Sequence, residues 1–299
     1  MNQTNEQNSS SNYPRLKDLC QRHNIQFKKG LGQNLLLDDN INAIMVNAAG
    51  LTKEDSVIEV GAGLGALTRR LVEQAGRVLS VEIDATFMPC LEEQFGDKEN
   101  MRLFRGDILN HELDDLVKEY LPEAKTLKMV SNLPYYITTP VLFHFLESSV
   151  YFERLVVMTQ LEVGERLTAP VNSSNYGALS VAARLYAETD IVHRVPASCF
   201  LPKPKVDSCI VRFRCRKEPP LPGMDVAQTM RVVRAAFGKR RKTLRNTLTG
   251  GMLGLSREQA IEALETAGID PNRRAQTMDW KEFAALTKTI EETTTENTE

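Results

Sequence analysis

The pentapeptide N-L-P-Y-Y, which begins at Asn132, follows the apolar run 127–131, which has the composition of a buried strand. Asn132 carries one acceptor and two donors on a short side chain. Pro134 fixes its own φ and favours an extended Leu133, whose carbonyl is then free to face outward. The ring of Tyr135 offers a flat face to a planar ligand. Two acceptors beside an aromatic face suit an exocyclic amine on a base, although core packing of the tyrosines explains the same pattern.

Polar residues and glycines also follow the other predicted strands of this region. The run 56–60 leads into Gly61-Ala62-Gly63-Leu64-Gly65 and a predicted helix, an arrangement that brings backbone amides close to a ligand. Glu82 ends the next strand about 20 residues later, where dinucleotide-binding folds place a carboxylate for ribose hydroxyls. Asp107 follows the third strand. Because ligands bind at the carboxyl ends of parallel strands, we predict a nucleoside-containing cofactor there.

NAD and S-adenosylmethionine are the two candidate cofactors. The spacing is G-x-G-x-G instead of G-x-G-x-x-G, and Glu59 precedes the glycines, where it would disfavour a pyrophosphate. A cofactor with an ammonium and a sulfonium tolerates acidic surroundings better. An asparagine after strand four has a use in amine methylation and none evident in hydride transfer. The sequence therefore favours S-adenosylmethionine, with an NAD-dependent oxidoreductase as the alternative.

The composition excludes several other classes. Hydrophobic residues make up 42% and charged residues 25% of the 299 residues, as is ordinary for a globular protein. No apolar run reaches the roughly 18–20 residues that a membrane span requires, and the polar first dozen residues lack the features of a signal peptide. We therefore expect a cytoplasmic location and no membrane association. Five cysteines without a C-x-x-C pair and four scattered histidines predict reduced thiols and no metal site.

The net charge of −2 conceals a strongly basic segment. Residues 194–257 contain fifteen Lys and Arg against three acidic residues. Lys203 and Lys205 lie in a proline-stiffened loop that follows Phe200, and residues 239–245 carry a second basic cluster. Basic charge that recurs over several segments predicts contact with an anion, although a solvated basic face is the alternative.

The order of the predicted elements indicates an α/β fold. Five strands that alternate with helices predict a mostly parallel, Rossmann-like sheet, closed by an antiparallel hairpin from the β-rich runs 189–195 and 208–214. A proline-rich linker at 218–223 then leads to helical patterns. We predict a partly disordered N-terminal extension at residues 1–27, an S-adenosylmethionine-binding α/β domain at residues 28–217, a small all-α domain at residues 224–290 and a disordered tail at residues 291–299.

Nearly the whole chain, from about residue 28 to about residue 286, resembles the small-subunit ribosomal RNA adenine N6,N6-dimethyltransferase family. The resemblance depends on the order and spacing of several segments: GQNLL, VIEVGAGLGALT, VEID, GDIL, NLPYYI, MTQLEVGERL, YGALSV, CFLPKPKVDS and AFGKRRKTLRN. It implies that residues 28–217 form a class I methyltransferase domain and that the all-α domain at residues 224–290 binds RNA. The implied reaction is methylation of two adjacent adenines, each receiving two methyl groups, in a hairpin loop near the 3′ end of the RNA. It also implies a role in small-subunit biogenesis, with ribosomal RNA and the pre-30S particle as partners of a monomeric enzyme.

The resemblance and the residue chemistry together predict three groups of site residues. S-adenosylmethionine is bound by Asn34, Leu36, Gly61, Glu82, Asp107 and Asn132. The target base is held by Asn132, Leu133, Pro134, Tyr135 and Phe200, while Tyr136 has no assigned role and core packing as its default. RNA phosphates contact Lys203, Lys205, Lys239, Arg240, Arg241, Lys242 and Arg245.

The chain departs from the family pattern at Leu31 and Leu35, where phenylalanines are usual, and at Leu161, where lysine is usual. These changes weaken predictions about loop closure and RNA contact. Two alternatives share the scaffold. One is a resistance-type adenine methylase that acts on large-subunit ribosomal RNA, and the other is a non-catalytic ribosome assembly factor, which the intact Glu82, Asp107 and N-L-P-Y disfavour.

Overall fold

The computed structural model describes residues 13–25, 34–239 and 241–296, and the chain forms two compact units. The first contains the residues up to Gly164 together with Asp190–Cys215, and the second contains Glu165–Thr189 together with everything from Arg216 onward. Residues 165–189, which the prediction placed in the domain of residues 28–217, therefore lie in the second unit instead. They belong with the C-terminal helices because they pack there: the Tyr176 hydroxyl is buried and donates to the Met278 carbonyl at 2.8 Å.

The first unit contains the central sheet. In chain order its strands are β2 (Asp55–Val60), β3 (Arg77–Glu82), β4 (Met101–Arg105), β5 (Thr126–Asn132), β6 (Arg154–Gln160), β7 (Ala187–Val195) and β9 (Ser208–Cys215), while β1 (Leu35–Leu36) and β8 (Phe200–Leu201) form a separate pair. The spatial order is β4-β3-β2-β5-β6-β9-β7. The first five are parallel and β9 is antiparallel to β6, which confirms the predicted mostly parallel sheet and its closing strands.

Helices cover this sheet and bury the strands β2, β5 and β6 along nearly their whole length. They are α1 (Tyr13–Arg22), α2 (Asp39–Ala49), α3 (Ala66–Gln74), α4 (Met88–Phe95), α5 (Leu113–Tyr120), α6 (Thr138–Leu146) and, at the unit boundary, α7 (Leu161–Thr168). The Asp38 carboxylate caps α2 by accepting from the Asn40 N–H at 3.0 Å. Leu16 and Leu19 of α1 are buried, so this helix packs onto the core. The prediction of disorder for residues 1–12 lies outside the described residues.

The second unit is helical, as predicted. It contains α8 (Ala178–Tyr186), α9 (Val226–Phe237), α10 (Leu244–Thr247), α11 (Arg257–Thr266) and α12 (Trp280–Glu296). The rings of Phe237 in α9 and Phe283 in α12 pack together, with their centroids 5.9 Å apart. Because α12 continues to Glu296, the predicted disordered tail is wrong for residues 291–296. Burial of Ile290 and a 3.1 Å bond from the Thr289 hydroxyl to the Ala263 carbonyl hold the preceding turn in place.

Over the described ranges, no helix has the length and apolar character that crossing a bilayer requires.

A buried ion pair joins β2 to β5, the strands that lead to the glycine turn and to Asn132. The Lys128 ammonium lies 3.0 Å from the Asp55 carboxylate, and both side chains are only 5% exposed. Lys128 also donates to the Gly50 carbonyl at the end of α2, at 2.9 Å, and Asp55 accepts from the Thr52 N–H at 2.7 Å. Because both charges are buried, each depends mainly on the other for its stabilisation, and the partly exposed Glu153 carboxylate is a more distant partner of Lys128 at 3.6 Å.

We expect Asp55→Ala to lower the free energy of unfolding by about 3–5 kcal/mol, because it leaves a buried ammonium whose remaining carboxylate partner, the partly exposed Glu153, is 3.6 Å away. Urea denaturation followed by circular dichroism measures the change. The double variant Asp55→Leu/Lys128→Met should be far less destabilised than the single variant.

The neighbouring pair of Glu54 and Lys125 is the matched control, since both side chains are about three-quarters exposed at a separation of 3.2 Å. Glu54→Gln should cost less than about 1 kcal/mol. Equal effects of Asp55→Ala and Glu54→Gln would contradict the role given to burial.

Candidate active site

One cavity in the first unit lies at the carboxyl ends of β2, β3, β4 and β5. All ten residues that the sequence predicts for the cofactor and the base line it: Asn34, Leu36, Gly61, Glu82, Asp107, Asn132, Leu133, Pro134, Tyr135 and Phe200. The structure therefore brings together residues that are up to 166 positions apart in the chain, from Asn34 to Phe200. This is the edge at which open parallel sheets bind their ligands.

The turn from β2 to α3 forms the floor of the cavity and depends on glycine. Gly61, Gly63 and Gly65 all have positive φ, of 77°, 54° and 77°. A Cβ on Gly65 would lie 2.5 Å from the Phe95 ring, so only glycine permits α3 to begin against α4. The Gly63 N–H is then free to donate to the Glu82 carboxylate at 2.8 Å.

Glu82 is held in place at the end of β3. One carboxylate oxygen accepts from Gly63, and the other accepts from the Asp84 N–H at 2.8 Å. Burial raises the pKa of Glu82, and the two N–H donors act in the opposite direction. Because each carboxylate oxygen offers two lone pairs, Glu82 retains acceptor capacity for a ligand that enters the cavity.

Glu59 is a second buried carboxylate in the cavity wall, and it is absent from the predicted site residues. The hydroxyls of Thr68 and Ser80 both donate to its Oε2 at 2.6 Å. Burial, with a smaller contribution from the nearby charge of Glu82, raises the pKa of Glu59 to about 7, although the two hydroxyl donors act in the opposite direction. Its position directly before the glycine turn was the available sequence signal. Ile83 and Leu109 also line the cavity and remain exposed at the ends of β3 and β4.

Asp107 follows β4 and begins a short 3-10 helix, Ile108–Asn110. One of its carboxylate oxygens accepts from the Leu109 N–H at 3.1 Å. This capping bond fixes the direction of the side chain at the cavity wall. The remaining lone pairs suit an amine donor of a ligand.

Asn132 and Tyr135 differ in the hydrogen bonding of their side chains. The Asn132 side chain makes no hydrogen bond with any other residue that the structure describes, so its amide is available to a ligand. The Tyr135 hydroxyl is 2.7 Å from the hydroxyl of Ser208, at the start of β9, and burial raises the pKa of Tyr135. This contact orients the ring along the cavity wall. Tyr136 is 58% exposed, so the default of core packing is wrong for this residue.

Phe200 both packs in the core and lines the cavity. It is 3% exposed and belongs to β8, where it pairs with Leu36 of β1. A bond of 2.8 Å from the Leu37 N–H to the Cys199 carbonyl extends this pairing. The two short strands therefore place Leu36 and Phe200 side by side in the wall.

The predicted RNA-binding residues occupy both units. Lys203 and Lys205 are exposed in the loop between β8 and β9 of the first unit. In the second unit Lys239, Arg241 and Lys242 are exposed, and Arg245 is partly buried. Arg240 lies outside the described residues. No cluster of three metal-binding side chains occurs in the parts of the chain that the structure covers.

A parallel sheet with a glycine turn, an acidic crevice at its carboxyl edge and a closing antiparallel strand defines a Rossmann-like methyltransferase fold of class I. Residues 24–292 match the model of the family described as ribosomal RNA adenine dimethylase, and the chain belongs to that family. Its members transfer methyl groups, which requires a methyl donor.

Two relatives named ribosomal RNA small subunit methyltransferase A cover nearly the whole chain. The protein from Alkaliphilus metalliredigens is 40% identical over 92% of this chain and 95% of its own length. The one from Pelotomaculum thermopropionicum is 44% identical over 91% and 94%.

Two solved structures resemble the fold. A dimethyladenosine transferase from Plasmodium falciparum aligns with a TM-score of 0.74 at 24% identity, covering 87% of this chain and 98% of that one. The 23S rRNA methyltransferase ErmE aligns with a TM-score of 0.65 at 27% identity, covering 86% and 99%.

We expect Glu59→Gln to stabilise the protein increasingly as the pH rises from 5 to 8. The pKa of Glu59 is about 7 in the folded state against 4.5 for a free side chain, so the folded state binds the proton more tightly between these values. The free energy of unfolding of the wild type therefore falls by up to about 3 kcal/mol as the pH rises from 4.5 to about 7 and beyond. The glutamine variant does not ionise at this position and lacks this loss.

Urea denaturation of both proteins at pH 5 and pH 8 measures the difference. Glu92→Gln, in the exposed side of α4, is the control, and its effect should not depend on pH. A pH-independent effect of Glu59→Gln would show that Glu59 ionises normally.

Proposed function

We propose that this protein transfers methyl groups from S-adenosylmethionine to N6 of two adjacent adenines in small-subunit ribosomal RNA. The adenines lie in a hairpin loop near the 3′ end, each becomes N6,N6-dimethyladenine, and the reaction accompanies small-subunit biogenesis in the cytoplasm. The observation that carries the proposal is one cavity lined by Glu82, Asp107, Asn132 and Tyr135, in a chain whose family is named for adenine dimethylation.

The residues in the cavity fit S-adenosylmethionine. Two buried carboxylates, Glu59 and Glu82, make the crevice acidic, which suits a cofactor with a sulfonium and an ammonium. Glu82 would accept from the ribose hydroxyls and Asp107 from the adenine amine, as the resemblance implies. The methionine part would lie against Gly61, where no side chain obstructs it. Asn34 and Leu36 would enclose the ligand. When bound, this cofactor supplies an activated methyl group on sulfur.

The residues after β5 act on the nucleophile. The N6 lone pair of adenine is delocalised into the ring and is weakly nucleophilic. Asn132 and the Leu133 carbonyl would accept hydrogen bonds from N6–H, which favours a more pyramidal nitrogen directed at the methyl. The Leu133 side chain is buried, so its carbonyl has a fixed position. Correct positioning lowers the barrier, and the proton leaves after transfer without a strong general base.

Aromatic side chains would stabilise the base outside the RNA stack. Removing an adenine from a loop costs a few kcal/mol, which stacking can offset. The Tyr135 ring is oriented by Ser208 and faces the cavity, and Pro134 shapes the turn that presents it. Phe200 lines the same cavity from β8 and would contact the other side of the base.

A large-subunit RNA methylase is the second candidate, because ErmE shares the fold at 27% identity. The relatives named for the small subunit are 40% and 44% identical over more than nine-tenths of the chain, which favours the small-subunit RNA as substrate.

Methyl transfer to ribosomal particles that lack the modification tests the proposal. With labelled S-adenosylmethionine we expect incorporation into small-subunit RNA alone, as N6,N6-dimethyladenine at two adjacent positions. Asn132→Ala should lower transfer by at least about a hundredfold, since it removes the acceptor that positions N6, while RNA affinity stays within about threefold.

Asn47→Ala, on the exposed side of α2, is the control and should leave both quantities unchanged. Methylation of large-subunit RNA would overturn the substrate assignment. Loss of RNA binding in Asn132→Ala would remove Asn132 from the chemistry.

The RNA backbone would be bound by the basic residues of both units. Lys203 and Lys205 on one unit, and Lys239, Arg240, Arg241, Lys242 and Arg245 on the other, supply cations for phosphates. Structured RNA is recognised largely through its shape and phosphates, and such contacts release counterions. We propose that the enzyme acts as a monomer on the pre-30S particle.

Replacing Lys239, Arg241 and Lys242 with glutamine should reduce the salt dependence of RNA binding. If each contacts one phosphate, the slope of log K against log salt should fall by about 2 in magnitude. Filter binding over a range of potassium chloride concentrations measures the slope.

The control replaces Lys98, Lys118 and Lys125, three exposed lysines that each pair with a carboxylate. Their loss should leave the slope unchanged. Equal slopes for the wild type and the first triple variant would place the phosphate contacts elsewhere.

A further inference from the structure

The turn after β5 contains two consecutive tyrosines, and only Tyr135 has a role in the mechanism above. The Pro134 carbonyl accepts from the Ile137 N–H at 3.1 Å and from the Thr138 hydroxyl at 3.2 Å. Tyr135 and Tyr136 are therefore the two central residues of a hydrogen-bonded turn. These two hydrogen bonds define the backbone conformation of both residues.

The two side chains have different surroundings. The Tyr135 hydroxyl is bonded to Ser208, which holds the ring at the cavity wall. Tyr136 also lines the cavity but is 58% exposed, and it makes no hydrogen bond or ring contact with a residue in the described ranges. An isolated exposed aromatic is unremarkable on most surfaces. This one is held on a rigid turn at the rim of a cavity, next to the residues proposed to hold the target base.

We propose that Tyr136 stacks on the nucleobase adjacent to the adenine in the cavity. The inference depends on the proposed function, in which two neighbouring adenines are substrates. An adenine that enters the cavity separates from its neighbour, and each base thereby loses a stacking partner. Inside the cavity Tyr135 replaces that partner. At the rim the exposed ring of Tyr136 offers the second base a face, in the manner of single-strand-binding aromatics.

Stacking on Tyr136 also allows the two adenines to be modified one after the other. Both adenines must enter one cavity in turn. N6,N6-dimethyladenine has no N6–H, so in the cavity it would leave the Asn132 oxygen and the Leu133 carbonyl without their donors. A stacked position on Tyr136 requires no hydrogen bond from N6. The finished base is therefore better accommodated at the rim, while the unmodified neighbour occupies the cavity.

The test compares Tyr136→Ala and Tyr136→Phe on small-subunit particles with two RNAs. One carries both adenines, and the other carries an abasic nucleotide in place of one of them. On the first RNA we expect Tyr136→Ala to raise KM about tenfold and to accumulate RNA dimethylated at a single adenine. Tyr136→Phe keeps the ring and should match the wild type. On the abasic RNA the wild type and Tyr136→Ala should agree within about twofold, because the stacking partner is already absent.

Tyr151→Ala is the matched control, since Tyr151 is 42% exposed and is not part of the cavity wall. It should behave as the wild type on both RNAs. Absence of methyl transfer by the wild type would contradict the proposed function itself. With an active wild type, an unaltered KM in Tyr136→Ala, or an equal loss on both RNAs, would refute stacking on the neighbour. Weaker binding of S-adenosylmethionine in Tyr136→Ala would instead assign the ring to the cofactor.

Discussion

The 2.8 Å hydrogen bond from the Gly63 N–H to the Glu82 carboxylate joins the ends of two adjacent strands and determines the shape of the crevice. It forms where the chain turns with positive φ at Gly61, Gly63 and Gly65, a backbone conformation that favours glycine. The turn leads directly into α3, which begins at Ala66 with Gly65 as its N-cap. The floor of the cavity, the start of that helix and the orientation of one carboxylate therefore have a common origin in three small residues.

Burying two carboxylates in one wall has an electrostatic cost that the hydrogen bonds to them offset only in part. Thr68 and Ser80 donate to Glu59, and two backbone amides donate to Glu82, yet the pKa values of both carboxyl groups remain raised. A positively charged ligand lowers this cost, whereas a pyrophosphate increases it. The crevice is thus complementary to the charge of the proposed methyl donor, which explains why an acidic residue precedes the glycines.

Features that depend on local pattern were predictable from the sequence, and features that depend on distant contacts were not. The strand periods and the glycine turn predicted the helix that follows Gly65 and the common edge at which Gly61, Glu82, Asp107 and Asn132 meet, whereas Asn34, Leu36 and Phe200 were predicted from the family resemblance. Residues 165–189 belong with the second unit because Tyr176 bonds to Met278, about a hundred positions away. The burial of Glu59 requires Ser80 from another strand, and the helical end of α12 depends on contacts of the preceding turn with α11.

The two proposed binding tasks, for the cofactor and for the RNA backbone, require residues of opposite charge. In the proposed reaction the acidic crevice would attract a cationic cofactor and repel phosphate, so a neutral base would enter it more favourably than the RNA backbone. The phosphates on either side of that base would then need other residues, and the excess of Lys and Arg in residues 194–257 is the proposed source of them. The uncharged side chains of Asn132, Tyr135 and Tyr136 line the crevice. They can bind a base through acceptors and ring faces without adding charge of either sign to the crevice.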